Sequence, residues 1–234
     1  LNYKNNSLRL FEFGKAYSTS GAGSYTENEQ LCVVISGNKN EAHWKHKAIS
    51  SDFYLLKGVI ESILKALGTE ADAVETMQVD KLNNHLVYKR NGKVIAGAGE
   101  VKKNILDKFG IKQAVFFGGL NWTLLAEMAA GQTKAVKELP KYPSVERDLA
   151  MIVSKELPWD SVEKTVQKIR LNKLQEIRLF DIFESEKLGA NKKSIAVNFT
   201  FLDEEKTLTD KEIDGWMSKI MTTLEKDLQA EIRK

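Results

Sequence analysis

The apolar positions of this 234-residue chain recur with two different periods, and the changes of period mark its organisation. The second half reads most clearly. Ile195, Val197, Phe199 and Phe201 alternate with Ser194, Ala196, Asn198 and Thr200, which predicts a strand with one apolar face. Arg147 to Val153 is an apolar run bounded by polar residues and predicts a buried strand. Ile177 to Phe183 alternates in part and predicts another, and Leu228 to Ile232 a short last one. Trp159, Val162, Val166 and Ile169 recur at helical spacing after Pro158, a residue suited to a first turn. Ile213, Trp216, Met217, Ile220, Met221 and Leu224 form a second helical stripe, opened by the capping-box pair Thr209 and Glu212. The resulting order, βαββαβ, is the ferredoxin-like arrangement, in which helices cover one face of the sheet and leave the other open.

The first half is less regular. Leu8 to Tyr17, Leu31 to Ser36 and Ala114 to Phe117 read as strands. Asp52 opens an amphipathic helix carrying Phe53, Leu56, Ile60, Ile63, Leu64 and Leu67 on one side, and Gly68 ends it. Leu86 to Lys89 and Val94 to Ala98 flank Asn91-Gly92, which fits a type I′ turn and predicts a hairpin. Ile105 to Phe109 and Trp122 to Met128 read as short helices. The fold class is therefore sheet-rich α+β. Pro140 and Pro143 follow a polar stretch, so residues 132–143 read as a linker between domains 1–139 and 140–234.

Composition narrows the function classes. With 42% hydrophobic residues the chain can build a core, which excludes disorder throughout. No apolar run is long enough to span a membrane, and the polar first ten residues do not read as a signal peptide. The single cysteine, Cys32, excludes an internal disulfide framework; in the run Leu31 to Ile35 it reads as a buried strand thiol, in keeping with a reducing, cytoplasmic setting. The net charge is 35 − 32 = +3: residues 1–140 carry 18 basic and 14 acidic side chains, and residues 141–234 carry 17 and 18. Neither half has the basic excess of a phosphate-gripping domain, so any nucleic-acid contact has to rest on local patches or base stacking.

Catalytic chemistry finds little support. His43 and His46 flank Trp44, but a metal needs a third ligand, and a solvated segment is the better reading. Gly97-Ala98-Gly99-Glu100 and Gly118-Gly119 match neither a dinucleotide fingerprint nor a P-loop, and read as strand-end turns. Asp203-Glu204-Glu205 reads as a solvated turn. No metal or catalytic residues are predicted.

Four segments of the second half carry a resemblance. They are Tyr142-Pro143-Ser144-Val145-x-Arg147-Asp148-Leu149-Ala150, Leu179-Phe180-Asp181-Ile182-Phe183, Lys193-Ser194-Ile195-Ala196, and Lys206-Thr207-Leu208-Thr209-Asp210-x-Glu212-Ile213. In this order and spacing they resemble the C-terminal anticodon-binding domain of bacterial phenylalanyl-tRNA synthetase beta subunits. The first half resembles the preceding part of that subunit, through Leu10-Phe11-Glu12-Phe13-Gly14-Lys15, Asp52 to Gly58, and Gly97-Ala98-Gly99-Glu100. The chain opens on leucine, and the resemblance implies a fragment of a much larger subunit.

The resemblance implies a class II synthetase-like antiparallel sheet domain that is catalytic-like but inactive, followed by the ferredoxin-fold domain. The implied partners are phenylalanine tRNA and the alpha subunit of a heterotetramer. ATP and magnesium belong to the whole enzyme and are not expected on this fragment. A working class II site clamps triphosphate with arginines, and residues 1–140 hold just two, Arg9 and Arg90. Asp181 and Phe183 are implied to face the anticodon, Asp181 accepting from an exocyclic amine and Phe183 stacking on a base. Ser194, Ala196 and Asn198 oppose the apolar face of their strand and would let a base lie close to the sheet. Arg147 is a candidate for a phosphate or base contact. Against these stand structural readings: Arg147-Asp148 as a local ion pair, and Phe180 or Phe183 as core. The alternative function is a ferredoxin-like protein-interaction or regulatory module without RNA.

Overall fold

A computed structural model describes residues 5–131, 139–189 and 191–233, in two units, residues 1–135 and 136–234. The expected linker falls largely on residues 132–138, outside the described ones.

The first unit contains β1 (Leu8–Gly21), β2 (Ser24–Ser36), the short β3 (Asn38–Asn40) and β4 (Ile49–Ser50), then α1 (Phe53–Leu67). It continues with β5 (Ala73–Thr76), β6 (Leu82–Arg90), β7 (Lys93–Val101), α2 (Lys103–Lys108), β8 (Val115–Asn121) and α3 (Trp122–Ala130). Six of its strands form an antiparallel sheet in the order β1-β2-β8-β7-β6-β5. α1 starts where Asp52 accepts the amide N–H of Leu55 at 2.8 Å and stops at Gly68, which takes φ 70°. It buries Leu56, Ile60 and Leu64 against Leu31, Val33 and Ile35 of β2 and Phe116 and Leu120 of β8. Asn91 and Gly92 both take positive φ, 50° and 73°, as the type I′ hairpin demands.

Two expectations need correction here. β1 and β2 run past Tyr17 and start before Leu31, making a long ribbon whose outer part is solvated on both faces. Such a segment has no apolar face, so alternation could not delimit it. Gly97, Gly99, Gly118 and Gly119 lie inside β7 and β8, not at strand-end turns.

The second unit contains β9 (Val145–Ser154), α4 (Trp159–Gln167), β10 (Leu174–Phe183), β11 (Lys192–Phe201), α5 (Asp210–Leu228) and β12 (Glu231–Arg233), with a 3-10 turn at Glu186–Leu188. The sheet order is β10-β11-β9-β12. Leu149, Met151, Val153, Ile195, Val197, Phe199 and Phe201 form one face and pack against Val162 and Val166 of α4 and Ile213, Met217, Ile220 and Leu224 of α5. Trp216 stacks on Phe201 with centroids 5.5 Å apart. Asp203 departs from the solvated turn expected of it. It is buried, bonded to Lys173 at 2.8 Å and to the Glu205 N–H at 3.0 Å. The Lys173 bond, then the amide, hold its carboxyl below the usual range.

The capping box of α5 is complete: the Thr209 hydroxyl takes the Glu212 N–H, and Glu212 takes the Thr209 N–H at 3.0 Å. Lys206 at 2.5 Å, then the Thr209 hydroxyl and amide, pull the Glu212 carboxyl down to about 2. A depressed carboxyl contributes stability above its unfolded pKa, and that contribution is lost as pH falls through the folded value. Urea unfolding of Glu212→Gln should therefore vary less with pH between the ordinary carboxylate range and about 2 than unfolding of the wild type does.

Candidate nucleic-acid interface

A β-bulge decides which side chains of β10 reach the open face. Ile177 pairs with Phe199 and Leu179 with Val197, so both point toward the helices. Strict alternation would send Asp181 and Phe183 the same way. Instead Phe180 is an extra residue: Leu179 pairs with Val197, and Asp181 with the next residue, Ala196. After the bulge Asp181 shares a face with Ala196, and Phe183 with Ser194, while Ile182 takes the helix side opposite Ile195.

On the open face β9 contributes Glu146, Asp148, Ala150 and Ile152 opposite Thr200, Asn198, Ala196 and Ser194. A row of small side chains, Ala150 beside Ala196, thus leads across the sheet to Asp181 at its edge. Phe183 stands 54% exposed at the end of the same edge. Flat rings need such an arrangement: a low floor with an aromatic wall.

The open face is not basic. By register it carries Glu146, Asp148, Glu176, Asp181 and Glu231 against Arg178, Lys192 and Arg233. Carboxylates in that setting suit base edges with amino groups and repel phosphates.

Two of the expected residues behave differently. Arg147 is opposite Phe199 and so belongs to the helix-covered side, where its guanidinium donates to Asp210 at 2.7 Å, at the start of α5. Neither the local pair with Asp148 nor a place beside Asp181 is what the fold gives it. Asn198 is on the open face but only 6% exposed. Its amide donates to Asp148 at 2.8 Å and to Glu146 at 3.3 Å, and its oxygen accepts from Thr200 at 3.4 Å. Both N–H groups are engaged, so Asn198 holds Asp148 in place and has no free donor for a base. Sequence alternation put Asn198 on the right face but could not show that its neighbours would enclose it. Asp148 and Glu146 were not singled out as open-face groups; their alternation with Arg147, Leu149 and Met151 was the available signal.

No group of three or more metal-ligating side chains comes together among the described residues. His43 and His46 exchange backbone hydrogen bonds of 2.9 and 3.0 Å in an exposed turn.

The chain is thus an α+β protein of two units, one a four-stranded sheet with helices on one side and an open face on the other, the other built on a six-stranded sheet. Residues 1–122 match the family described as the phenylalanyl tRNA synthetase beta chain CLM domain, and the chain belongs to that family. Residues 140–233 match the ferredoxin-fold anticodon binding domain. The phenylalanine–tRNA ligase beta subunit of Porphyromonas gingivalis is 34% identical over 100% of this chain and 30% of its own length. The Bacteroides thetaiotaomicron beta subunit is 34% identical over 99% of the chain, again 30% of its own length, and the Listeria innocua one 33% identical over 98% and 29%. The chain thus spans under a third of the relatives it matches. A pyrrolysyl-tRNA synthetase structure from Desulfitobacterium hafniense overlays 56% of the chain and 44% of its own at 17% identity and TM-score 0.41, too distant to fix the fold.

Proposed function

We propose that the chain works as part of a phenylalanine–tRNA ligase, in which residues 140–234 bind the tRNA anticodon and residues 1–139 are a non-catalytic scaffold packed against an alpha subunit, in the cytoplasm. The observation that carries the reading is the bulge at Phe180, which turns Asp181 and Phe183 onto the open face beside Ala196 and Ser194. A bulge that re-aims side chains is a structural expense with a functional return. Phe183 stacks on one anticodon base and Asp181 accepts from an amine of a base, with Ala196 and Ser194 as the floor.

The scaffold role rests on two features of the first unit. Its two arginines are already engaged with backbone carbonyls, Arg90 with Glu70 at 2.7 Å and Arg9 with Lys39, which leaves neither poised as a triphosphate clamp. An apolar groove of about 350 Å³ runs between β1 and α1, walled by Phe11, Phe13, Val33, Val59 and Ile63, and suits a protein partner. ATP and magnesium act in the complete enzyme, in a heterotetramer with the alpha subunit. The class II character of the first sheet belongs to the same reading.

Titration of the 234-residue chain with a phenylalanine-tRNA anticodon stem-loop tests this. Binding should survive added salt well, because few phosphates are neutralised by a face with more carboxylates than basic groups. A stem-loop with scrambled anticodon should bind at least tenfold more weakly. Equal affinity for both loops would remove the RNA reading and leave a protein-interaction module.

A further inference from the structure

The open face of the second unit carries one transverse row that crosses all four strands. Asp181 of β10 pairs with Ala196 of β11, Ala196 with Ala150 of β9, and Ala150 with Arg233 of β12. Directly paired residues share a face, so all four side chains stand on the side away from α4 and α5. The row therefore runs from a carboxylate at one edge of the sheet, over two methyl groups, to a guanidinium at the other. Neighbouring strands are about 4.8 Å apart, which roots the two charged residues roughly 14 Å apart. Side chains of these lengths reaching inward leave between them the span of one nucleotide, from base edge to phosphate. The flanking rows offer no such floor. One has Asn198 between Arg178 and Asp148, and the other has Ile152 between Ser194 and Glu231.

Arg233 is exposed, and among the described residues no carboxylate pairs with it. Glu231, two residues earlier on the same face, is taken by Lys192. Asp148, on β9 two residues from Ala150, accepts the Asn198 amide at 2.8 Å. The backbone under Arg233 is nonetheless firmly placed. Gln229 takes a left-handed φ of 54° and turns the chain from α5 onto the edge of β9, Ala230 is buried, and Ile232 packs against the core opposite Met151. A guanidinium on a fixed backbone with its donors unengaged suits a phosphate, which it can grip through two N–H groups at once.

We propose that Arg233 holds the phosphate of the nucleotide whose base edge Asp181 reads, with Ala196 and Ala150 beneath the base and sugar. The inference rests on the anticodon reading given above. One placed cation fixes the RNA backbone in register, and the carboxylates select the base, a division of labour open to a face that is not basic overall.

Filter binding of the 234-residue chain to the phenylalanine-tRNA anticodon stem-loop tests it, with one loop phosphate at a time replaced by an uncharged methylphosphonate. For wild type one such replacement should weaken binding about tenfold, the loss of a charge-assisted contact. Arg233→Gln should weaken binding of the unmodified loop by a similar factor and be indifferent to that replacement. It should also flatten the salt dependence, by about 0.7 in log K per unit of log salt for a single-stranded phosphate. Arg233→Lys keeps the charge and should recover the salt dependence with part of the affinity. Arg178→Gln removes the other arginine that the register puts on this face, and should stay within about threefold of wild type. Circular dichroism of the three variants should match wild type. Unchanged affinity of Arg233→Gln, while wild type still prefers the native anticodon over a scrambled one, overturns this proposal and leaves the anticodon reading standing. Equal losses in Arg233→Gln and Arg178→Gln overturn it as well, as does an Arg233→Gln chain that keeps the wild-type sensitivity to every methylphosphonate. A wild-type chain that binds both loops equally removes the anticodon reading and this proposal with it.

Discussion

Phe183→Ala should weaken binding of the phenylalanine-tRNA anticodon stem-loop by about 10- to 100-fold, while Phe183→Tyr stays within about twofold of wild type. Removal of a stacked aromatic costs about 1–3 kcal/mol per base, and each 1.4 kcal/mol is tenfold. The ring is 54% exposed, so little of its area contributes to the core, and its loss should barely move the melting temperature. Asp181→Asn should act differently. The amide keeps one acceptor and adds a donor, so its main effect is on selectivity: a base analogue without the exocyclic amine, strongly disfavoured by wild type, should approach the affinity of the normal base. Arg147→Gln is the control. Its partner is Asp210 on the helix side, and a partly exposed ion pair is worth about 0–1 kcal/mol, so stability drops slightly and RNA affinity stays within about twofold. Filter binding with the wild-type and variant chains measures all of these. Affinities unchanged in Phe183→Ala and Asp181→Asn together would remove both residues from the interface.

What the sequence made legible follows from where one periodicity dominates. β11 alternates without interruption from Ser194 to Phe201, and its two faces are as the pattern predicts. The helix stripe after Thr209 and the Asn91-Gly92 hairpin are equally direct, because caps and type I′ turns have local residue requirements. The candidate site was legible only in part. Within Phe180-Asp181-Ile182-Phe183 alternation pairs Asp181 with Phe183, but continued back to Ile177 and Leu179 it would bury both. The bulge that resolves the conflict is a property of pairing with β11, and a single strand does not reveal its own partner's register. The surroundings of Arg147 and Asn198 are hidden from the sequence for a similar reason. Whether a long side chain finds Asp210 across 63 positions, or a short one is enclosed by Glu146 and Asp148, is decided by tertiary neighbours. The solvated ribbon of β1 and β2 escaped because nothing there has a buried face to report.

Phe199→Ala should cost about 3–5 kcal/mol, the usual range for removing a large buried aromatic from a well-packed core. Phe199 is fully buried, paired with Arg147 on β9 and Ile177 on β10, and sits in the cluster that joins the sheet to α4 and α5. Against a typical total of about 5–15 kcal/mol, that is a large share of what holds the second unit folded. The two units have separate cores, so calorimetry of the variant should show one transition shifted down and the other, from the first unit, in place. The contrast with Phe183 is the informative part. Both are phenylalanines on neighbouring strands of one sheet, and the register puts their rings on opposite sides. At a temperature where Phe199→Ala is still folded, its affinity for the stem-loop should match wild type, because the missing ring lies beneath the sheet and the floor of Ala196 and Ser194 remains. A Phe199→Ala chain as stable as wild type would mean that the helix-covered face is not the core. A folded Phe199→Ala chain with greatly weakened RNA binding would mean that the open face is not the platform.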